Sequence, residues 1–188
     1  MLPSSKPVTS LLILSTLALS ILAPTALSRS PQQASSPQSS ALKVLAAWTG
    51  QWTTHGKLYN TPYSHAGEIT ITMTCGWSAY GGYMVCDHLI TGPSGTRNDL
   101  SIYTYNESEK SYKFCGFDRS GVPRATPLTI EGSVWSYDSD EEQEGKNIHI
   151  KTINDFSKPN IVTWNTRFTD DAGAHWTLMN EGVDTRTK

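Results

Sequence analysis

The chain has 188 residues, of which 37% are hydrophobic, and a formal charge of −2. This length suits one globular domain, and the lack of any basic run along it argues against nucleic acid as a partner. After the first 28 residues, the sequence has no apolar segment long enough to span a bilayer as a helix.

The first residues predict a secretory signal peptide over residues 1–28. Lys6 precedes an apolar run from Val8 to Leu22, and the small residues Ala26 and Ser28 fit a cleavage site after Ser28. The alternatives are cleavage after Ala26 or Ala23 and a retained membrane anchor. The uninterrupted apolar stretch is shorter than the roughly 20 residues that a spanning helix needs, which argues against the anchor. We therefore expect a secreted or periplasmic protein, with no membrane span once the leader is removed.

The segment after the leader changes character twice. Residues 29–40 are almost all Ser, Gln, Pro and Ala, which predicts a disordered linker, and residues 41–188 are expected to form one domain. Residues 41–48 carry apolar side chains at helical spacing, and Gly50 stands where a helix-ending glycine belongs. The domain is thus predicted to begin with a short helix.

Period-two alternation predicts about nine strands after this helix. In the clearest of them, residues 68–77, isoleucine, methionine, cysteine and tryptophan alternate with glutamate and threonine. The strands are predicted over residues 52–59, 68–77, 83–90, 100–105, 112–117, 128–137, 148–156, 161–168 and 175–183. Short connections without crossover helices favour an all-β, antiparallel, up-and-down closed barrel of about eight to ten strands.

Three segments carry turn or loop chemistry. Residues 118–121 and 170–173 are rich in Asp and Gly and predict turns. An acidic cluster is predicted to form a solvated loop; it consists of Asp138, Asp140, Glu141, Glu142 and Glu144. Calcium binding by this cluster is the alternative, but its spacing does not match a known calcium loop.

Three cysteines in an exported chain suggest one disulfide and one free thiol. Cys75 and Cys86 flank a glycine-rich segment almost symmetrically, so a hairpin there would place them opposite each other. Cys115 is then expected to be a buried free thiol. No two Cys or His residues show the close spacing of a zinc site, so no metal is expected.

The triplet Gly50-Gln51-Trp52 resembles the opening motif of lipocalins and their calycin relatives, which implies that Trp52 packs across the barrel floor. Calycins often place an arginine beside this tryptophan, and Arg186 is the candidate here, with Gly50, Trp52 and Arg186 in structural roles.

The wider pattern resembles an uncharacterised, often exported bacterial family that carries a domain of unknown function with a calycin-like barrel. The residues that carry this resemblance are Leu45 to Trp52, Gly81-Gly82-Tyr83, Tyr103 to Asn106 with Tyr112, Gly132 to Trp135, and Asp171 to Gly182. The resemblance spans nearly all of residues 41–188 and implies a fold, with no activity or catalytic residue to transfer.

Nitrobindin-like haem barrels are a second resemblance. The chain matches their motif at Gly50, Trp52 and Gly56, but Thr54 stands where that motif has another glycine. Haem is therefore a minor hypothesis.

Aromatic side chains and one histidine are the candidate ligand-binding residues. The candidate wall residues are Trp52, Trp77, Trp135, Trp164 and Trp176, because large rings on inward faces line or fill a small barrel. By alternation, His88 shares its face with Met84, Cys86 and Ile90, and it would point into the interior if that face is internal. The alternative is a histidine satisfied by a neighbouring strand or by water.

Catalytic chemistry has little support in the sequence. No serine lies in a nucleophile elbow, and Asp87 and Glu131 inside strands are explained by solvent-facing positions. We therefore expect a monomer or weak homo-oligomer that binds a small apolar or amphipathic molecule in the barrel and needs no cofactor. The alternatives are a small isomerase- or hydrolase-type enzyme using a His or carboxylate base, and a structural or interaction domain with a filled core.

Overall fold

The computed structural model describes residues 39–117, 121–143 and 145–188. The predicted signal peptide and the first ten residues of the predicted linker lie outside these ranges. A short helix, α1 (Ser40–Val44), starts at Ser39, whose side chain accepts a hydrogen bond from the Leu42 amide, and it continues as a 3₁₀ turn over Leu45–Trp48.

Gly50 marks the change from helix to strand. Its φ of 121° is a conformation that favours glycine, and a Cβ atom there would lie 2.3 Å from the carbonyl oxygen of Lys188. This close approach joins the two ends of the domain, since the Gln51 amide donates to the same carbonyl oxygen at 2.9 Å.

Ten strands follow. They are β1 (Gly50–Leu58), β2 (Gly67–Trp77), β3 (Tyr83–Gly92), β4 (Gly95–Asn106), β5 (Ser111–Phe117), β6 (Pro123–Glu131), β7 (Val134–Gln143), β8 (Lys146–Lys158), β9 (Ile161–Thr169) and β10 (Thr177–Arg186).

Each strand pairs antiparallel with its neighbours along the chain, and β1 pairs with β10, so the sheet closes into a barrel. The predicted fold class is confirmed, including the short helix before the first strand. Among the residues that the structure describes, no helix is long and apolar enough to cross a membrane.

The region predicted as one strand over residues 128–137 is two strands. Glu131 pairs with Val134, and Gly132 between them has a φ of 62°, so Gly132 and Ser133 form a two-residue hairpin turn. The prediction was wrong because apolar residues stand on both sides of this turn, and the shift of the inward positions from Leu128 and Ile130 to Trp135 and Tyr137, which marks the turn, was read as one strand.

The prediction of a solvated loop for the acidic cluster was also wrong. Asp138 to Glu142 lie within β7, and Glu144 is outside the described residues. Across the sheet, Asp138 is opposite Lys151 and Asp140 is opposite His149, whose Nδ1 atom lies 2.8 Å from the Asp140 carboxylate. The positive charge of Lys151 opposite Asp138 and the hydrogen bond between His149 and Asp140 offset the repulsion within the cluster. The predicted turn at 170–173 lies between β9 and β10, and residues 118–120 are not described.

Cys75 and Cys86 are directly opposite each other on β2 and β3, and they form the disulfide in this structure. Cys115 is a free thiol, as expected, but it is only half-buried. Its register partner is Ile102, and both alternate with inward-facing aromatic residues. The expectation of a buried thiol was therefore wrong, since Cys115 lies on the outer face of the sheet.

The end of the barrel next to α1 is sealed by aromatic rings. Trp48 lies with its ring centroid 5.6 Å from that of Trp52, 4.8 Å from Phe156 and 5.9 Å from Tyr103. Trp135 adds a contact of 4.5 Å with Phe156. We call this group the aromatic plug. Trp48, Trp52, Tyr103 and Trp135 are all buried, so aromatic side chains fill this end of the barrel.

The opposite end is only partly covered. In the loop between β1 and β2, Tyr63 packs edge-on against Phe168 at 4.9 Å, and a small core of Ile148, Phe168 and Met179 lies beneath it. These residues cover the side of the open end formed by β8, β9 and β10. The side formed by β3 to β7 lies outside this cluster.

The barrel wall has a gap between β6 and β7. The two strands pair only from Leu128 opposite Tyr137 to Glu131 opposite Val134, near the plugged end. Toward the open end, residues 123–127 pair with β5 and residues 138–143 pair with β8, and these described segments show no pairing with each other.

Arg186 connects the last strand to the aromatic plug. Its guanidinium carbon lies 4.5 Å from the ring centroid of Trp52, and its Nη2 atom donates to the carbonyl oxygen of Ala47 at 2.7 Å. We expect Arg186→Ala to lower stability by about 2 kcal/mol, because it removes a cation–π contact and a charge-assisted hydrogen bond. Thermal unfolding should show a melting temperature lower by roughly 4–8 °C.

Arg186→Lys is the matched control, since it keeps the charge but lacks the planar fork. Its melting temperature should lie between those of wild type and Arg186→Ala. An unchanged melting temperature in Arg186→Ala would show that the contact does not stabilise the barrel.

Candidate functional site

A cavity of about 300 Å³ lies inside the barrel between the aromatic plug and the open end, on the inner faces of β3 to β8. Its apolar surface comes from Ile90, Phe114, Phe117 and Ile150. The ring of Phe114 stacks on Tyr137 with centroids 4.1 Å apart and an interplanar angle of 12°. Rings and branched side chains therefore form one side of a cavity that also contains polar groups.

Gly116 creates part of this space. It pairs with Ser101 on β4 and Arg124 on β6, and an added Cβ atom would point at the ring of Phe114, 3.3 Å from the nearest carbon. A residue with a side chain at this position would therefore project into the cavity.

His88 lines the cavity from β3. Its Nε2 atom lies 2.9 Å from the hydroxyl oxygen of Ser101, and both side chains point inward. Loss of water around the ring lowers the pKa of His88, and the charges of Asp99 and Asp87 oppose this shift only in part. His88 is therefore a neutral imidazole at neutral pH, and its two ring nitrogens provide one donor and one acceptor.

Asp99 faces His88 directly across the β3–β4 pair. Its Oδ2 atom accepts a hydrogen bond from Arg97 at 3.0 Å, while its Oδ1 atom is buried without a hydrogen-bond partner among the described residues. Thr126 on β6 is only 9% exposed, and its hydroxyl oxygen also lacks a partner. Both residues line the cavity.

Arg124 and Glu141 bridge the gap between β6 and β7. The Arg124 Nη1 atom lies 2.8 Å from Oε1 of Glu141. These two residues, together with Thr126 and Ser139, line both the inner cavity and a depression on the outer side of the gap. The ion pair thus lies where the cavity and the outer surface meet.

Two tyrosines form the deep end of the cavity. Burial raises the pKa of Tyr137 to about 12, and burial also raises the pKa of Tyr103 well above its usual range. Both phenols therefore stay protonated at physiological pH and can donate hydrogen bonds. Tyr103 is also a member of the aromatic plug, and the ring of Phe114 connects it to Tyr137.

A second buried polar group lies on the other side of the interior. The Oδ1 atom of Asp184 on β10 accepts hydrogen bonds from Thr54 at 2.6 Å and from the indole N–H of Trp164 at 2.9 Å. Burial raises the pKa of Asp184 to about 6, and the two hydrogen bonds lower it by less. Trp164 fits here because residue 182 is a glycine. A Cβ atom at this position would lie 2.5 Å from the indole ring.

The predicted ligand-binding residues are placed in different parts of the barrel. Trp52 and Trp135 belong to the aromatic plug, and Trp77 packs against the same core. Trp164 bonds to Asp184, and Trp176 is 37% exposed in the loop before β10, edge-on to His149. Of the six predicted residues, His88 alone is among the described residues that line the cavity.

The polar residues that line the cavity were not predicted from the sequence, apart from His88. Asp99, Ser101 and Thr126 each alternate with outward-facing neighbours, and this was the available signal. Asp87 and Glu131, the two strand carboxylates considered as possible bases, are exposed. In the described part of the chain, no group of three or more His, Cys, Asp or Glu side chains could hold a metal ion.

Two solved structures resemble this barrel. Rv2717c from M. tuberculosis matches with a TM-score of 0.57 at 10% identity, covering 80% of this chain and 99% of that chain. The S-type phycobiliprotein lyase CPES from Guillardia theta matches with a TM-score of 0.56 at 9% identity, covering 78% and 92%. No family model and no curated protein matches the sequence. The likeness shows a calycin-like barrel fold alone, and the resemblance to a bacterial family of unknown function stays a prediction.

The raised pKa of Asp184 makes stability depend on pH. Between about pH 4 and pH 6 the folded protein keeps a proton that the unfolded chain has released, so stability falls as pH rises through this window. The total loss is about 3 kcal/mol. Asp184→Asn keeps an acceptor oxygen for Thr54 and Trp164 but cannot ionise. We expect it to be more stable than wild type at pH 7.5, with a flatter pH dependence.

Urea unfolding from pH 4 to pH 7.5 measures this difference. Asp87→Asn, the same substitution at an exposed position, should run parallel to wild type. Parallel curves for wild type and Asp184→Asn would contradict the buried carboxyl as the source of the pH dependence.

Proposed function

We propose that this protein binds a small amphipathic molecule inside the barrel, in the cavity beside His88, Ser101 and Phe114. The observation that carries the proposal is the cavity itself, with about 300 Å³ of space and a lining that combines rings with a few polar groups. Ligand sites in proteins have this composition, and this volume is at the lower end of their range.

The closure of the barrel supports binding over a filled core. One end is sealed by the aromatic plug, while the wall between β6 and β7 is unpaired toward the open end. A cavity with one sealed end and one side opening can take up a molecule without unfolding of the barrel. The filled-core alternative does not account for this space.

Haem does not gain support from these residues. A haem iron in a protein is commonly held by a histidine nitrogen. His88 is the one histidine among the described residues that line the cavity, and its Nε2 atom is already engaged with Ser101. The described lining of the cavity therefore does not fit haem.

We further propose that the protein is exported to an oxidising compartment, secreted or periplasmic. The disulfide between Cys75 and Cys86 supports this, because disulfides persist in such compartments and are rare in the cytosol.

An enzyme that uses His88 as a base is the second candidate. The observation in its favour is a neutral imidazole bonded to the Ser101 hydroxyl and opposite Asp99 across the sheet. However, the Oδ1 atom of Asp99 has no hydrogen-bond partner among the described residues, so it accepts no hydrogen bond from His88 that would orient the imidazole ring. Binding is therefore the better supported function.

Filling the cavity tests the binding function. Gly116→Leu would place a branched side chain in the space against Phe114, so a ligand should no longer fit. N-phenyl-1-naphthylamine is a suitable uncharged fluorescent probe. With wild type we expect a saturable rise in emission and a Kd on the order of 1–100 µM, and with Gly116→Leu a loss of binding of at least about tenfold.

Gly76→Leu is the matched control. Gly76 lies on the outer face of β2, where an added Cβ meets no atom within 4 Å, so this variant should bind the probe as wild type does. Circular dichroism establishes that both variants are folded. No saturable binding by wild type, or unchanged binding by a folded Gly116→Leu variant, would refute the proposal.

A further inference from the structure

We propose that the ligand of this cavity is a small, elongated amphipathic amine, whose N–H groups bind the Asp99 carboxylate. This inference rests on the proposed binding function and specifies which chemistry the site selects. It follows from which polar atoms of the cavity are already satisfied by the protein and which are not.

Two polar atoms in the cavity lining are buried without a hydrogen-bond partner among the described residues, Oδ1 of Asp99 and Oγ1 of Thr126. A buried acceptor without a donor costs free energy, so such atoms are uncommon in a folded protein unless a ligand or water completes them. Three other buried polar atoms also lack a partner among the described residues, one each in Trp48, Ser78 and Arg186, but these residues do not line the cavity.

The Asp99 carboxylate is an acceptor only, and it forms an ion pair with Arg97 at 3.0 Å. Arg97 occupies Oδ2 and leaves Oδ1 open toward the cavity. A donor is therefore what the site lacks. Ammonium N–H groups make short, charge-assisted hydrogen bonds to carboxylates, so an amine completes Asp99 better than a neutral donor does.

The other charged groups of the lining disfavour a carboxylate ligand. Arg124 is the cation there, and its guanidinium is engaged by Glu141. Glu141 in turn accepts from Gln143 at 3.1 Å through its second oxygen. A ligand carboxylate would have to break this ion pair and would face both Glu141 and Asp99. Like charges at such positions disfavour binding.

The two open atoms lie at different depths. Ser101, Gly116 and Arg124 form one row across β4, β5 and β6. Asp99 is two residues from this row toward the open end, and Thr126 is two residues toward the plug, a separation of about 13 Å along the strands. Between them Gly116 leaves the wall without a side chain. An elongated molecule with an amine at one end and a second polar group at the other matches this arrangement.

Two naphthalene compounds with the same ring and spacer test the charge preference, 2-(1-naphthyl)ethylamine and 3-(1-naphthyl)propanoate. Each is titrated at pH 7.5 against N-phenyl-1-naphthylamine bound to the whole protein. We expect the amine to displace the probe at a concentration about tenfold lower than the acid does. Asp99→Asn should reduce this preference to less than about threefold.

Asp87→Asn is the control, because it makes the same change in charge on the outer face of the neighbouring strand, and it should keep the full preference. If the acid binds as well as the amine, or if Asp99→Asn keeps the preference, the amine proposal is overturned while probe binding leaves the binding function intact. If wild type binds neither the probe nor either compound by calorimetry, both proposals fail.

Thr126→Val gives an independent readout. If the Thr126 hydroxyl has no partner in the free protein, replacing it with a methyl group removes an unsatisfied buried group and loses no hydrogen bond. The melting temperature of the free protein should stay the same or rise. A lower melting temperature would show that the hydroxyl is satisfied within the protein and is not kept for a ligand.

Discussion

The pairing of the first strand with the last is the constraint on which the rest of the structure depends. Trp52 on β1 lies opposite Arg186 on β10, and this pair brings the guanidinium over the indole ring. Because the sheet has closed, the inward residues of all ten strands face one interior. A barrel widens as strands are added, and eight strands already give an interior that side chains just fill. Ten strands therefore leave space that the aromatic plug occupies at one end and does not occupy at the other.

The interior is built from two kinds of polar group. Asp184 has its partners within the protein, Thr54 and Trp164, and it acts on stability through its raised pKa. Asp99 and Thr126 each have an atom without a partner, and both line the cavity. The hydrogen-bonded Asp184 stabilises the barrel at low pH. The unsatisfied atoms of Asp99 and Thr126 lower the stability of the free protein, and this cost is removed only when another molecule supplies the missing hydrogen bonds.

Alternation along a strand predicted which side chains share a face, but it could not predict the position of each side chain along the barrel axis. The closed barrel, the pairing of Cys75 with Cys86 and the inward direction of His88 are consequences of alternation and turn chemistry. Trp135 also points inward, but the length of β7 and the position of its hairpin place it in the plug. Depth along the axis depends on strand register, and register depends on turns such as Gly132-Ser133, which the sequence pattern did not separate from the strands.

The polar lining was missed for a related physical reason. A serine, threonine or aspartate that alternates with apolar residues is read as facing water, and for most antiparallel sheets this is correct. In β4 the rule reverses, because Ser101 is buried and faces inward while Ile102 faces outward with Cys115. A closed barrel with a fully apolar interior would follow the ordinary rule. The reversal on β4 therefore supports the proposal that this interior binds a molecule with polar groups, and the Arg124–Glu141 ion pair beside the gap makes the proposed entry polar.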